Sequence, residues 1–110
     1  MNKKDVAYAI GTFIEKYHND ASRVKMPTWH FKIKQVFNVN LPETSLKEDS
    51  TNLWTFNVTA EIIKTDSPET VPMREKVNMV GSANVTSYTN RGTTEELPEV
   101  KLVIITQIKG

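Results

Sequence analysis

The sequence predicts an α+β protein in which one N-terminal helix packs on a long, curved, four-stranded antiparallel sheet. Two patterns predict this class. Apolar residues recur at helical spacing between residues 6 and 21, and from residue 29 onward they recur at every second position, the period of a strand with one buried face. A length of 110 residues suits one domain with one core, so residues 1–110 are predicted to form a single domain.

The helix is predicted over about residues 3–21. Asn2 is placed to cap its N-terminus, and Asp5, three residues later, suits both a capping box and the positive end of the helix dipole. Pro27 prevents the helix from continuing past Met26. The stripe predicted to face the sheet consists of Val6, Ile10, Phe13, Ile14, Tyr17 and Ala21.

Four strands are predicted over about residues 29–41, 53–64, 74–88 and 100–109, and the segment 43–51 is predicted to be a polar connection. Gly81 falls on the inward side of the third strand and indicates a bulge or bend. Val103 and Ile105 are predicted to lie on the outer face of the last strand. The residues predicted to face the helix are Trp29, Phe31, Ile33, Phe37, Val39, Leu41, Trp54, Phe56, Val58, Ala60, Ile62, Val77, Met79, Ala83, Val85, Val100, Leu102, Ile104 and Ile108.

Strands of twelve residues span about 40 Å and have to twist and coil around the helix. The cystatin inhibitory hairpin requires Gln-x-Val-x-Gly, and the segment Gln35-Val36-Phe37-Asn38-Val39 departs from it. In the order of its elements the chain resembles compact folds of the cystatin and nuclear-transport-factor type. The resemblance implies the architecture alone, and no functional residue is carried over from it.

Composition excludes several classes of function. The sequence has no cysteine, which excludes disulfides, thiolate chemistry and cysteine zinc sites and fits a reducing, cytoplasmic location. A formal net charge of +1 gives no strong field toward nucleic acid or an anionic membrane. Neither a signal peptide nor a membrane-spanning helix is predicted. Because phosphate-loop, nucleophile-elbow and metal-ligand spacings are missing, no enzyme, cofactor or metal is predicted.

The outer face of the predicted sheet is the candidate site. This face carries hydroxyl and amide side chains with a few aliphatic ones, whereas a face exposed to solvent normally carries lysine and glutamate. A surface that has few charges but keeps its hydrogen-bonding groups is typical of the centre of a protein interface. We therefore expect a non-enzymatic protein–protein interaction module that binds itself, as a homodimer or larger, or another protein. Accessory proteins of phages or mobile elements, inhibitors and assembly subunits all fit this description. The predicted interface residues are Val36, Thr55, Thr59, Asn78, Val80, Ser82, Val103 and Ile105.

Three alternative sites follow from other residues. His18 beside Asp20 is either a general base or a surface residue at the helix end, and the second interpretation is preferred. A basic stripe predicts nucleic-acid binding, but the aromatic residues of the first strand lie on its opposite face, so nucleic acid is an unfavoured partner. The stripe consists of Arg23, Lys25, His30, Lys32 and Lys34. A small-ligand-binding protein or an enzyme would instead use a cavity between helix and sheet, lined by Phe13, Tyr17, Trp29, Phe31, Trp54 and Phe56.

Overall fold

The N-terminal helix α1 spans Lys3–Tyr17 in the computed structural model, which describes residues 1–28, 32–89 and 91–110. The predicted cap is confirmed, because the Asp5 backbone N–H donates to the Asn2 side-chain oxygen Oδ1 over 2.8 Å. The side chains of α1 that face the sheet are apolar, and some of them are small enough to let the helix pack closely on the strands. Its buried residues are Val6, Ala7, Ile10, Gly11 and Ile14.

The helix ends four residues earlier than predicted because Asp20 stabilises a turn. The Asp20 carboxylate accepts hydrogen bonds from the backbone N–H and the hydroxyl of Ser22 and from the Arg23 guanidinium. These bonds compete with continued helix, as is usual for aspartate. Ala21 is exposed in this turn, so its predicted place in the buried stripe is wrong.

Six strands lie among the described residues: β1 Val24–Lys25, β2 Ile33–Asn40, β3 Leu46–Ser50, β4 Leu53–Lys64, β5 Arg74–Thr89 and β6 Glu96–Lys109. The sheet has the order β1-β6-β5-β4-β2, and β3 pairs with β4. All pairings are antiparallel except that of β1 with β6. The predicted class and the antiparallel order of the long strands are therefore confirmed.

Two strands were missed by the sequence pattern. β3 lies in the segment 43–51 that was predicted to be a connection, and it pairs with the first residues of β4, beyond the part of β4 that β2 covers. β1 is only two residues long and extends the sheet past β6. The first predicted strand begins at residue 29, and residues 29–31 lie outside the described residues.

The last strand contains two irregularities that reverse its alternation. Where β5 pairs with β6, Asn84 lies opposite Leu102 but the next residue, Val85, lies opposite Val100. Lys101 is therefore an extra residue on β6. A second extra residue, Thr106, lies opposite the step from Val80 to Gly81, and its hydroxyl donates to the Val80 carbonyl oxygen over 3.0 Å. Each bulge shifts the strand by one residue and so changes which side chains face inward. The bulge predicted near Gly81 is confirmed.

These bulges place Val103 and Ile105 in the core, where they are 0% and 2% exposed, and turn Ile104 outward, where it is 39% exposed. The predicted outer position of Val103 and Ile105 is therefore wrong. The predicted inward position of Leu102 and Ile104 is wrong for the same reason, because strict alternation was extended across Lys101.

The first long strand, β2, is bulged as well. Lys34 is an extra residue between Ile33 and Gln35, and a second irregularity follows Phe37, where Asn38 adopts a left-handed φ of 53°. The first bulge turns Val36 inward to 4% exposure and Phe37 outward. The predictions that placed Val36 on the outer face and Phe37 in the core are wrong.

The core lies between α1 and the concave face of the sheet. α1 contacts β2 on one side and β6 on the other, so the sheet curls around it. In its C-terminal half the helix packs closely on β2, where the Val39 backbone N–H donates to Glu15 Oε1 over 2.8 Å. The convex face of the sheet is left uncovered by any described element.

Candidate functional site: the outer face of the sheet

The uncovered face is a regular grid because the strand register aligns its side chains in rows across β4, β5 and β6. One row runs Leu53, Asn84, Leu102, and the next runs Thr55, Ser82, Ile104. The third row is Asn57, Val80, Gln107, and the fourth begins with Thr59 and Asn78 and ends in the charged Lys109 on β6. We call the eleven uncharged residues of these four rows the central block, and Lys109 lies at its corner.

The predicted interface residues divide into two groups. Five belong to the central block: Thr55, Thr59, Asn78, Val80 and Ser82. The other three, Val36, Val103 and Ile105, belong to the hydrophobic core. The aliphatic contribution to this face comes instead from Leu53, Leu102 and Ile104, which the sequence pattern missed.

The signal for Ile104 was present in the sequence but ambiguous. Residues 102–105 are four consecutive aliphatic residues. Two of them therefore face outward whether the even-numbered or the odd-numbered residues point to the core. Only the position of the bulge decides which two. The bulged residue is a lysine and not a glycine, so the sequence gives no sign of the bulge.

Charged residues lie at one end of the central block. There the Arg74 guanidinium carbon is 4.2 Å from the centroid of the Phe37 ring, and Arg74 Nη1 is 3.8 Å from Glu61 Oε2. The same Glu61 oxygen accepts from the side-chain amide of Asn38. Lys76 and Glu61 form the next row of the grid. An uncharged centre with a charged border is the usual anatomy of a protein interface.

The alternative sites have less support in the structure. His18 Nδ1 is 2.9 Å from the Glu15 carbonyl oxygen, whereas Asp20 bonds to Ser22 and Arg23, so no His18–Asp20 pair is formed. Hydrogen bonds from the Ser22 hydroxyl and backbone N–H hold the pKa of Asp20 below its ordinary value. That environment belongs to a turn-forming aspartate.

The described members of the predicted cavity lining fall into two groups. Trp54 and Phe56 are buried in the core, while the half-buried Phe13 and Tyr17 contact each other with tilted rings whose centroids are 4.8 Å apart. Trp29 and Phe31 lie outside the described residues.

In the predicted basic stripe, Arg23 is exposed and paired with Asp20. Lys25, Lys32 and Lys34 are exposed as well, and His30 is outside the described residues.

Comparison of the chain with known protein families, with curated proteins and with solved structures gives no match. The helix among the described residues is too short and too polar to cross a membrane.

Proposed function

We propose that this chain is a non-enzymatic assembly module that binds a second copy of itself through the central block. The observation that carries the proposal is the run of three uncharged rows, continued by Thr59 and Asn78 in a fourth, with Ile104, 39% exposed, at its margin. A face exposed only to water gains nothing from excluding lysine and glutamate over three adjacent strands. The absence of cysteine is in keeping with a cytoplasmic location, which is part of the proposal.

The chemistry of the central block favours a second copy as the partner. Hydroxyl and amide side chains carry both donors and acceptors, so a face made of them is able to satisfy an identical face. A two-fold dimer brings the same patch together from both chains, and a charged patch would repel itself in that arrangement. Here the charged residues Lys76, Glu61 and Arg74 lie outside the centre.

The size of the central block also suits this role. Four rows at about 6.7 Å and three strands at about 4.8 Å cover on the order of 400 Å². A standard interface buries about 800 Å² on each partner. The central block therefore supplies the fully buried half, and the charged residues around it supply the rim.

Absolute mass in solution tests the proposal, measured by size exclusion with light scattering at low and high salt. We expect twice the single-chain mass of 12.5 kDa at both salt concentrations, because the contact contains no ion pair at its centre. Ile104→Lys should return the protein to a monomer with unchanged circular dichroism. Val71→Lys is the matched control, since it places the same charge on an exposed loop valine.

A monomer at every concentration and salt would refute self-association. A dimer that survives Ile104→Lys would show that another surface holds it. Pull-down of a different protein that depends on Ile104 would leave the face as the interface but would replace the proposed partner.

A further inference from the structure

An aromatic groove lies between α1 and the first half of β6, away from the central block. It has a volume of about 840 Å³, and all three tyrosines of the sequence line it, with Tyr8 77% and Tyr88 46% exposed. None of the three tyrosine hydroxyls has a hydrogen-bond partner among the described residues. The complete lining is Asp5, Tyr8, Ala9, Thr12, Phe13, Lys16, Tyr17, Tyr88, Leu97, Pro98, Glu99 and Val100.

The groove follows the edge of β6. Four consecutive β6 residues line it, Leu97 to Val100, and consecutive strand residues point to opposite faces. A surface that touches both faces of a strand lies along its edge. In the described part of the chain, β1 covers this edge only at Val103 and Ile104.

Backbone hydrogen-bonding groups point from this edge into the groove. The Val85 N–H donates to the Asn52 carbonyl oxygen over 2.8 Å, so the polar groups of Val85 point away from β6. Its partner Val100 must then direct its own N–H and C=O away from β5. Pro98 faces the same way two residues earlier and offers only a carbonyl, in keeping with the preference of proline for free strand edges.

The same edge already accepts an extended segment. Beyond the Lys101 bulge, the Val103 N–H donates to the Arg23 carbonyl oxygen over 2.8 Å, and β1 runs parallel to β6 there. An extended chain in the groove would continue the line of β1 and meet the Val100 groups in the same way. Addition of a strand to a free edge is a common mode of peptide recognition.

We propose that the groove binds an extended peptide segment of another protein, added as a strand beside residues 96–100 of β6. The rings of Tyr8, Phe13 and Tyr17 form the wall that receives its apolar side chains. Asp5 and Lys16 stand about 16 Å apart along the helix, so the peptide carries a basic residue and an acidic residue about five positions apart in extended conformation. A second copy of β6 fits poorly, because Pro98 would withhold a donor from each chain.

The probe is a phage-displayed library of random linear peptides, followed by the enriched peptides made synthetically. We expect enrichment of apolar residues between a basic and an acidic position. Binding should weaken about tenfold in Val100→Pro, which removes one backbone donor. The matched control Val100→Ala keeps that donor and should bind within about threefold of the parent protein. Circular dichroism compares the folding of the two variants.

A second readout keeps the test independent of the proline variant. In the free protein the Val100 amide should exchange with solvent faster than its neighbour Leu102, and the peptide should slow it selectively. Tyr8→Ala, at an exposed position, should weaken binding without changing the fold.

Several results would overturn the proposal. These are a library that yields no binder, binders equally tight to Val100→Pro and the parent, and peptide-induced amide shifts at Val80 and Ser82 instead of Val100. A doubled mass that is lost in Val100→Pro would assign this edge to a second copy. Because no residue of the central block lines the groove, the lack of a binder, or equal binding to Val100→Pro and the parent, would leave the test of self-association unaffected.

Discussion

The bulge at Lys101 makes a direct prediction about two neighbouring residues. Val103→Ala should destabilise the fold much more than Ile104→Ala, although isoleucine is the larger residue. Val103 is completely buried, whereas Ile104 is 39% exposed on the convex face. Simple alternation from Val100 predicts the opposite order, so the pair of variants tests the bulge itself.

The expected magnitudes follow from burial. Val103→Ala removes two buried methyl groups, worth about 0.8 kcal/mol each on transfer, or about 1.6 kcal/mol together. The cavity left behind raises the loss of unfolding free energy to about 2–3 kcal/mol, because a packed core relaxes only in part. Ile104→Ala removes more atoms, but from a partly solvated site, and should cost less than about 1 kcal/mol.

Urea unfolding in dilute solution, where monomers prevail, is the assay. With a slope of about 1.2 kcal/mol per molar urea, Val103→Ala should lower the midpoint by about 2 M and Ile104→Ala by less than about 1 M. The slopes should stay equal, since neither change alters the surface exposed on unfolding. Equal midpoints, or a larger loss for Ile104→Ala, would refute the assignment of Lys101 as the bulged residue and would remove Ile104 from the central block.

Three further predictions concern local structure. Gly81→Ala should unfold the protein or cost more than about 3 kcal/mol, because the added Cβ would stand 2.3 Å from the Ile104 carbonyl oxygen; a normal thermal midpoint would contradict this close approach. Asn38→Gly should be about 1 kcal/mol more stable in denaturant unfolding than Asn38→Ala, since both lose the side-chain amide but only alanine is strained at φ 53°. Asp20→Asn should lower the thermal midpoint at neutral pH. Because the folded pKa of Asp20 lies below its ordinary value of 3.8, the stabilisation by its carboxylate is present above that value and is lost as the pH falls through the folded pKa. A gap between Asp20→Asn and the parent that persists in strong acid would contradict this origin.

The class of fold could be predicted because its signals are local and repeated. The Asn2 cap is set by residues within one turn, and β4 has the predicted bounds because its inward residues alternate without interruption from Trp54 to Ile62. The strand β5 runs regularly for the same reason. In such elements the period of burial is fixed by backbone geometry alone.

The faces of β2 and β6 could not be predicted, because a bulge is decided by pairing with another strand. Lys34 and Lys101 are ordinary exposed lysines, and neither has a glycine or a proline directly beside it to mark an extra residue. Alternation read across such a point reverses every later side chain. This error moved Val36, Val103 and Ile105 onto the predicted interface, while Thr55 and Ser82, on unbulged strands, were placed on the correct face.

The two proposed contacts occupy different parts of the molecule, and this separation has a consequence for binding. The central block lies on the convex face, and the groove lies on the edge of β6 against the helix. Two chains packed through their central blocks would keep both grooves open, so a dimer would present two peptide sites. A partner with two matching segments would bind the second in an intramolecular step, which raises its overall affinity without any new contact. Ile104→Lys would remove that gain while each groove kept its own affinity, and the ratio of bivalent to monovalent binding would therefore report on both contacts together.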